Sequence, residues 1–156
     1  MSKKICAVLA GVSGSGKSTF SNGLKNLVHP DSNLSAISVS ADKFFYQDGE
    51  YNFDAGKLGK AHKWCREQFE DAINLEVPLV FVDNTNTVMK EAKFYLEYAE
   101  KKGYETFYLA VLPWRNQQNE HNVPQKSLQK QCQRLKDTIS ACLDNHISNQ
   151  NVENIT

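Results

Sequence analysis

The sequence predicts an α/β domain, a parallel sheet covered by helices, and three observations carry that prediction. Four short apolar runs alternate with longer segments in which apolar residues recur at helical spacing. The first run, 5–10, leads directly into a loop with three glycines. That loop, Gly11-Val-Ser-Gly-Ser-Gly-Lys17-Ser18, fits the phosphate-binding pattern G-x-x-x-x-G-K-[ST].

Glycine belongs in such a loop because the chain turns through backbone angles that a Cβ forbids and must bring its N–H groups close to a ligand. Those N–H groups form a concave nest for a β-phosphate, aided by the positive end of the next helix. The expected nucleotide-binding set is Gly11, Ser13, Gly14, Ser15, Gly16, Lys17, Ser18 and Thr19. Lys17 is expected to reach the β- and γ-phosphates, and the Ser18 hydroxyl to hold Mg²⁺.

A helix over 19–28 follows the loop, weakened by Gly23. Pro30 marks a turn, and alternating residues 34–40 read as a second strand. Asp42 stands at its carboxyl end, where open parallel sheets place ligands, and could take the proton of an attacking hydroxyl. Residues 47–56 read as a glycine- and acid-containing loop. Leu58, Ala61, Cys65, Phe69 and Ala72 share one face of a helix over 57–74. Lys57, Lys60, Lys63 and Arg66 read as its solvated face, and His62 as a packed, hydrogen-bonded side chain.

The third strand, 78–83, is almost wholly apolar and ends at Asp83, the place for a second carboxylate associated with Mg²⁺. Val88, Ala92, Tyr95, Leu96 and Ala99 form the inner face of the next helix, with Glu97 and Lys101 spaced as an i,i+4 pair. Gly103 is its C-cap. The fourth strand is 106–112, and Pro113 stops it. A Gln- and Asn-rich connector precedes Pro124, placed for the first turn of a last helix. Leu128, Cys132, Leu135, Ile139 and Cys142 share one of its faces.

The chain of 156 residues suffices for one domain, expected over 1–147, with a lid at about 114–127 and a frayed tail at 148–156. Its 18 basic and 18 acidic side chains cancel. Proteins that coat long nucleic acid usually carry a basic excess, so neutrality favours a small molecule or a strand end. The four cysteines show no C-x-x-C spacing, and three occupy positions that read as apolar and buried. The N-terminal apolar run is too short for a signal peptide or membrane span, so the expected setting is cytoplasmic, without a membrane partner. Short length and an early P-loop point to a kinase rather than a motor or a GTPase.

Beyond the P-loop, the segments Ala41-Asp-Lys-Phe-Phe45, Ala61-His62, Asp83-Asn-Thr-Asn86 and Asn119-Glu-His-Asn-Val-Pro124 resemble the polynucleotide-kinase-like P-loop family. The resemblance implies a three-layer P-loop kinase fold with a four-stranded parallel sheet, order 2-3-1-4, and a lid over ATP. It implies transfer of the γ-phosphoryl group of ATP to a 5′-hydroxyl of nucleic acid. Asp42 then matches the general base, Lys17 and Ser18 the phosphate lysine and P-loop hydroxyl. Asn84 and Thr85, with Lys43 beside the base, match the acceptor-binding region. Two departures stand out. Phe45 occupies the place of an arginine that grips the acceptor phosphate, and Gln117 and Gln118 occupy places of lid arginines. Arg115 is the only arginine of the connector and takes the expected lid role. Three readings follow: a kinase of a polynucleotide 5′ end, a kinase of a nucleoside or other small hydroxyl compound, and a nucleotide-binding interaction module with little catalysis.

Overall fold

The computed structural model describes residues 3–28, 36–112 and 122–153. Strand β1, Ile5–Ala10, is buried from its second residue onward, as its unbroken apolar run requires. Helix α1, Lys17–Val28, leads to β2, Ala36–Val39, and to a 3₁₀ turn, Ala41–Phe45. A hairpin follows, β3 (Tyr46–Gln47) and β4 (Glu50–Tyr51), then helix α2, Leu58–Asn74. Strand β5, Leu79–Asp83, helix α3, Met89–Lys101, and strand β6, Glu105–Ala110, complete the sheet. Helix α4, Gln125–Glu153, closes the described chain.

Four strands form one sheet in the order β2-β5-β1-β6, all parallel. Counted among the parallel strands alone, this is the expected order 2-3-1-4. Pairing of Leu9 with Asp83 in the β1–β5 register brings the end of β5 beside the start of the glycine loop. Helices lie on both faces. Cys6, Val8, Val80 and Val82 meet Ala61, Cys65, Phe69, Ala92, Tyr95 and Ala99 of α2 and α3. On the other face, Leu24 of α1 packs on Ala7, Leu9 and Phe81. Right-handed crossovers between parallel strands produce this division.

Several details differ from the sequence reading. The segment read as a plain loop contains the β3–β4 hairpin, turned at Asp48 and Gly49, both at positive φ (51° and 85°). Such a two-residue turn matches the twist of its strands. Glu97 pairs with Lys93 at 3.5 Å rather than with Lys101, because the earlier turn of α3 presents the nearer ammonium. His62 is exposed, since it falls just outside the apolar stripe of α2. Only Cys6 and Cys65 are buried; Cys132 and Cys142 lie on the exposed flank of α4, where Leu135 alone of its face is buried. That helix continues to Glu153, past the point where a frayed tail is expected. Gly103 does cap α3, at φ 80°. The turn at Pro30 and the connector 113–121, with Arg115, Gln117 and Gln118, lie outside the described residues.

Candidate active site

The P-loop takes its shape from two glycines in the left-handed region, Gly14 at φ 78° and Gly16 at φ 91°. Gly11 is required for a different reason. A Cβ there would lie 2.4 Å from Ser15 Oγ and 2.9 Å from the Val111 carbonyl. The Gly11 N–H donates to the Thr85 carbonyl at 2.9 Å, which ties the loop to the end of β5. Ser15 is buried, and its hydroxyl has no hydrogen-bond partner among the described residues.

Lys17 is 8% exposed and folds back over its own loop, donating from Nζ to the Val12 carbonyl (2.9 Å) and the Gly11 carbonyl (3.1 Å). Burial lowers its pKa, opposed by the negative charges of Asp83 and Asp42. Both carboxylates therefore act on one ammonium. The Ser18 hydroxyl donates to Asp83 Oδ2 at 2.5 Å, across the gap between α1 and β5.

Asp42 sits in the 3₁₀ turn that Ser40 caps, its N–H donating to Ser40 Oγ at 3.2 Å. The turn is held to β5 by Asn84, whose Oδ1 accepts from the Ala41 N–H at 2.8 Å. The other end of that amide donates to Cys65 Sγ at 3.5 Å. Asn84 thus fixes the position of Asp42 relative to Asp83. Asn86 plays a similar part for β1: held at φ 43°, it donates to the Leu9 carbonyl at 2.8 Å and accepts from the Tyr108 hydroxyl on its own carbonyl at 2.9 Å. Lys43 Nζ donates to the Ser38 carbonyl. Burial and then the neighbouring Lys25 charge lower its pKa, against Asp83 and Cys65.

These groups surround one cleft of about 540 Å³. Ser13, Gly14, Gly16, Lys17, Ser18 and Thr19 line it from the loop, and Asp42, Lys43, Asp83, Asn84 and Thr85 from the strand ends. Of the sequence-derived site residues, Gly11 and Ser15 lie behind the cleft as its framework, and Arg115 lies outside the described residues. Three residues were missed. Tyr46 lines the cleft, and Tyr51, across the hairpin from it, lies within reach of the Asp42 charge. Burial, then the Asp42 charge, raise the Tyr51 pKa. Gln131 of α4 accepts from the Ser13 N–H at 2.9 Å. The Asp48-Gly49 dipeptide was the available signal for the hairpin that carries both tyrosines; nothing local marks Gln131.

Ser18 and Asp83 offer hard oxygen donors at hydrogen-bonding separation, a donor set suited to Mg²⁺, which keeps most of its ligands as water and phosphate oxygen. The arrangement provides an anion nest, a buried ammonium, a hydroxyl–carboxylate pair and a second carboxylate across one cleft.

Fold and loop together define a P-loop kinase-like α/β domain. The chain belongs to the AAA domain family, which it matches over residues 7–141. Human NEDD4-binding protein 2 is 31% identical over 110 residues, 70% of this chain and 6% of that protein, so the chain spans a small part of this relative. A chain of the Pnkp1/Rnl/Hen1 RNA repair complex shares the fold with a TM-score of 0.64 at 14% identity, over 90% of this chain and 47% of that one. APS kinase CysC of Mycobacterium tuberculosis does so with a TM-score of 0.51 at 15% identity, over 90% and 99% of the two chains. Chaetomium thermophilum Kti12, solved with ADP-AlF3, gives 0.53 at 14% identity, over 83% and 79%.

Proposed function

We propose that this domain is an ATP-dependent kinase whose acceptor is a 5′-hydroxyl end of nucleic acid. The observation that carries the reading is the placement of Lys17, the Ser18–Asp83 pair and Asp42 around one cleft. Likeness to a fold found in an RNA repair complex supports the choice of acceptor.

In this reading the N–H groups of the loop and the start of α1 cradle the β-phosphate. Lys17 leaves the carbonyls of Gly11 and Val12 for the β- and γ-phosphate oxygens. Ser18 and Asp83 would hold Mg²⁺, which when bound neutralises phosphate charge. Asp42 accepts the proton of the attacking hydroxyl. The hydroxyl oxygen forms a bond to the γ-phosphorus as the bond to the β-phosphate bridging oxygen breaks, and ADP leaves with that electron pair. Lys43 and Thr85 line the acceptor's approach, and Asn84 holds the turn that carries the base. Arg115 is assigned to the charge that develops on the moving phosphoryl group; Arg115→Ala should lower the rate at saturating ATP far more than it changes ATP affinity.

A second reading, a kinase of a nucleoside or another small hydroxyl compound, is favoured by zero net charge and by a cleft whose cations among the described residues are Lys17 and Lys43. Labelled ATP offered with 5′-hydroxyl oligonucleotides and with nucleosides separates the two. Label passing to nucleosides alone replaces the first reading by the second, and transfer to neither leaves a binding module.

A further inference from the structure

We propose that the β3–β4 hairpin is a stacking platform for the nucleobase of the acceptor, built from Tyr46, Tyr51 and Phe53. The proposal rests on the kinase reading above and names how the acceptor is recognised.

Position comes first. The hairpin begins at the residue after the turn that carries Asp42. Tyr46 lines the cleft beside Asp42, and the hairpin register sets Tyr51 directly across from Tyr46. A nucleoside whose hydroxyl meets Asp42 therefore has its base beside these rings. The donor's phosphates belong at Lys17 and Ser18, on the other side of the transferred group.

Exposure comes second. Tyr46 and Phe53 are 52% and 54% exposed. The Tyr46 and Tyr51 rings lie 5.1 Å apart, and Tyr51 and Phe53 stack at 6.5 Å with planes 18° apart. Two exposed rings flanking the half-buried Tyr51 beside a cleft mark a binding surface.

The platform is also rigid. Phe45 is 3% exposed and supports it from beneath, 5.1 Å from the Phe53 ring and 6.3 Å from that of Tyr51. The Asn52 N–H donates to the Phe45 carbonyl at 2.8 Å, fixing the hairpin's return. Little ordering is left to oppose binding. Among the described residues the cleft has two cations, Lys17 and Lys43, and Lys17 belongs to the donor's phosphates, so the acceptor side presents no phosphate-tracking groove. Stacking supplies affinity without such a groove and tolerates any base.

The test uses the full chain with Mg²⁺ and a non-hydrolysable ATP analogue filling the donor site. Equilibrium binding is measured for a short 5′-hydroxyl single strand, the same strand with an abasic first residue, adenosine, and ribose. The wild type should prefer the base-bearing member of a pair by on the order of tenfold. Preference in the strand pair identifies a nucleic-acid end, and preference in the adenosine–ribose pair alone identifies a free nucleoside; either supports the platform. Tyr46→Ala should lose the preference, Tyr46→Trp should keep it, and neither should change affinity for the analogue. Equal binding within both pairs, or a preference untouched by Tyr46→Ala, overturns the proposal. So does a Tyr46→Ala variant that weakens the analogue alone, which would give the rings to the donor's adenine. Analogue binding with no acceptor binding rejects the platform and leaves a kinase of another hydroxyl, whereas failure to bind the analogue rejects both.

Discussion

The Ser18 hydroxyl and the Asp83 carboxylate meet at 2.5 Å, joining the first turn of α1 to the last residue of β5. The two residues are far apart in sequence, and the parallel register of β1 and β5 brings them together. If they hold Mg²⁺, Asp83→Asn removes a charged ligand. Partners one step further from a metal are worth 10–100-fold, so phosphoryl transfer should fall by about 100-fold or more. The midpoint of a Mg²⁺ titration of activity should rise in parallel. A variant with an unchanged midpoint would remove Asp83 from the metal site.

Gly11→Ala tests the framework behind the loop. The added methyl meets Ser15 Oγ and the Val111 carbonyl inside contact distance. Forced overpacking of this kind costs about 1–3 kcal/mol. Denaturant unfolding should register that loss, and affinity for an ATP analogue should fall with it. Gly23→Ala is the control: nothing lies within 4 Å of a Cβ there, so it should raise stability slightly.

Asp42→Asn separates base from binder. A general base contributes on the order of 10²–10⁴ in rate. The variant should keep ATP affinity and lose turnover to about that extent in single-turnover measurements. Loss of ATP affinity with an unchanged rate at saturation would make Asp42 a binding residue instead.

What the sequence disclosed about this site, and what it concealed, follows from the range of the interactions involved. Gly14 and Gly16 are local necessities of a turn, and Asp83 ends an apolar strand, so both were legible along the chain. The hairpin was not, because two-residue strands are too short to show alternation. Asn84 reads as an acceptor contact and does line the cleft, but its bonds to Ala41 and Cys65 could not be foreseen, because those partners are set by the packing of α2 and the 3₁₀ turn. Cys132 and Cys142 share a helical face with Leu135, but a helical face is buried only where another element covers it, and α4 leaves both exposed.

The thiols give a direct check of that last point. Two of the four, Cys132 and Cys142, should react with a thiol reagent in the native protein, and Cys6 and Cys65 only on unfolding. Fast modification of all four in the folded state would contradict the packing of α2 on the sheet.

Cys6 also sets an expected pH dependence. Burial pushes its pKa up to about 12 from an ordinary value of 9.0. Between those values the unfolded chain has lost the proton and the folded chain retains it. Stability is therefore undiminished below about pH 9 and falls as pH rises toward 12. Melting temperature should decline over that window, and less steeply in Cys6→Ala. Cys65, Tyr51, Tyr95, Tyr104 and Tyr108, all raised by burial, add to the slope that remains. An identical decline in both proteins would show that Cys6 is not the linked group.

In the reading proposed above, this cleft moves the γ-phosphoryl group of ATP to a 5′-hydroxyl. The most direct test of that reading is incubation of the wild type and Lys17→Ala with γ-labelled ATP, Mg²⁺ and a short 5′-hydroxyl oligonucleotide, followed by separation of the labelled strand. Label is expected on the 5′ end with the wild type and none with a folded Lys17→Ala variant, because Lys17 is the buried counter-charge of the loop. An unlabelled strand with active wild-type ATP binding, or equal labelling by both proteins, would contradict that reading.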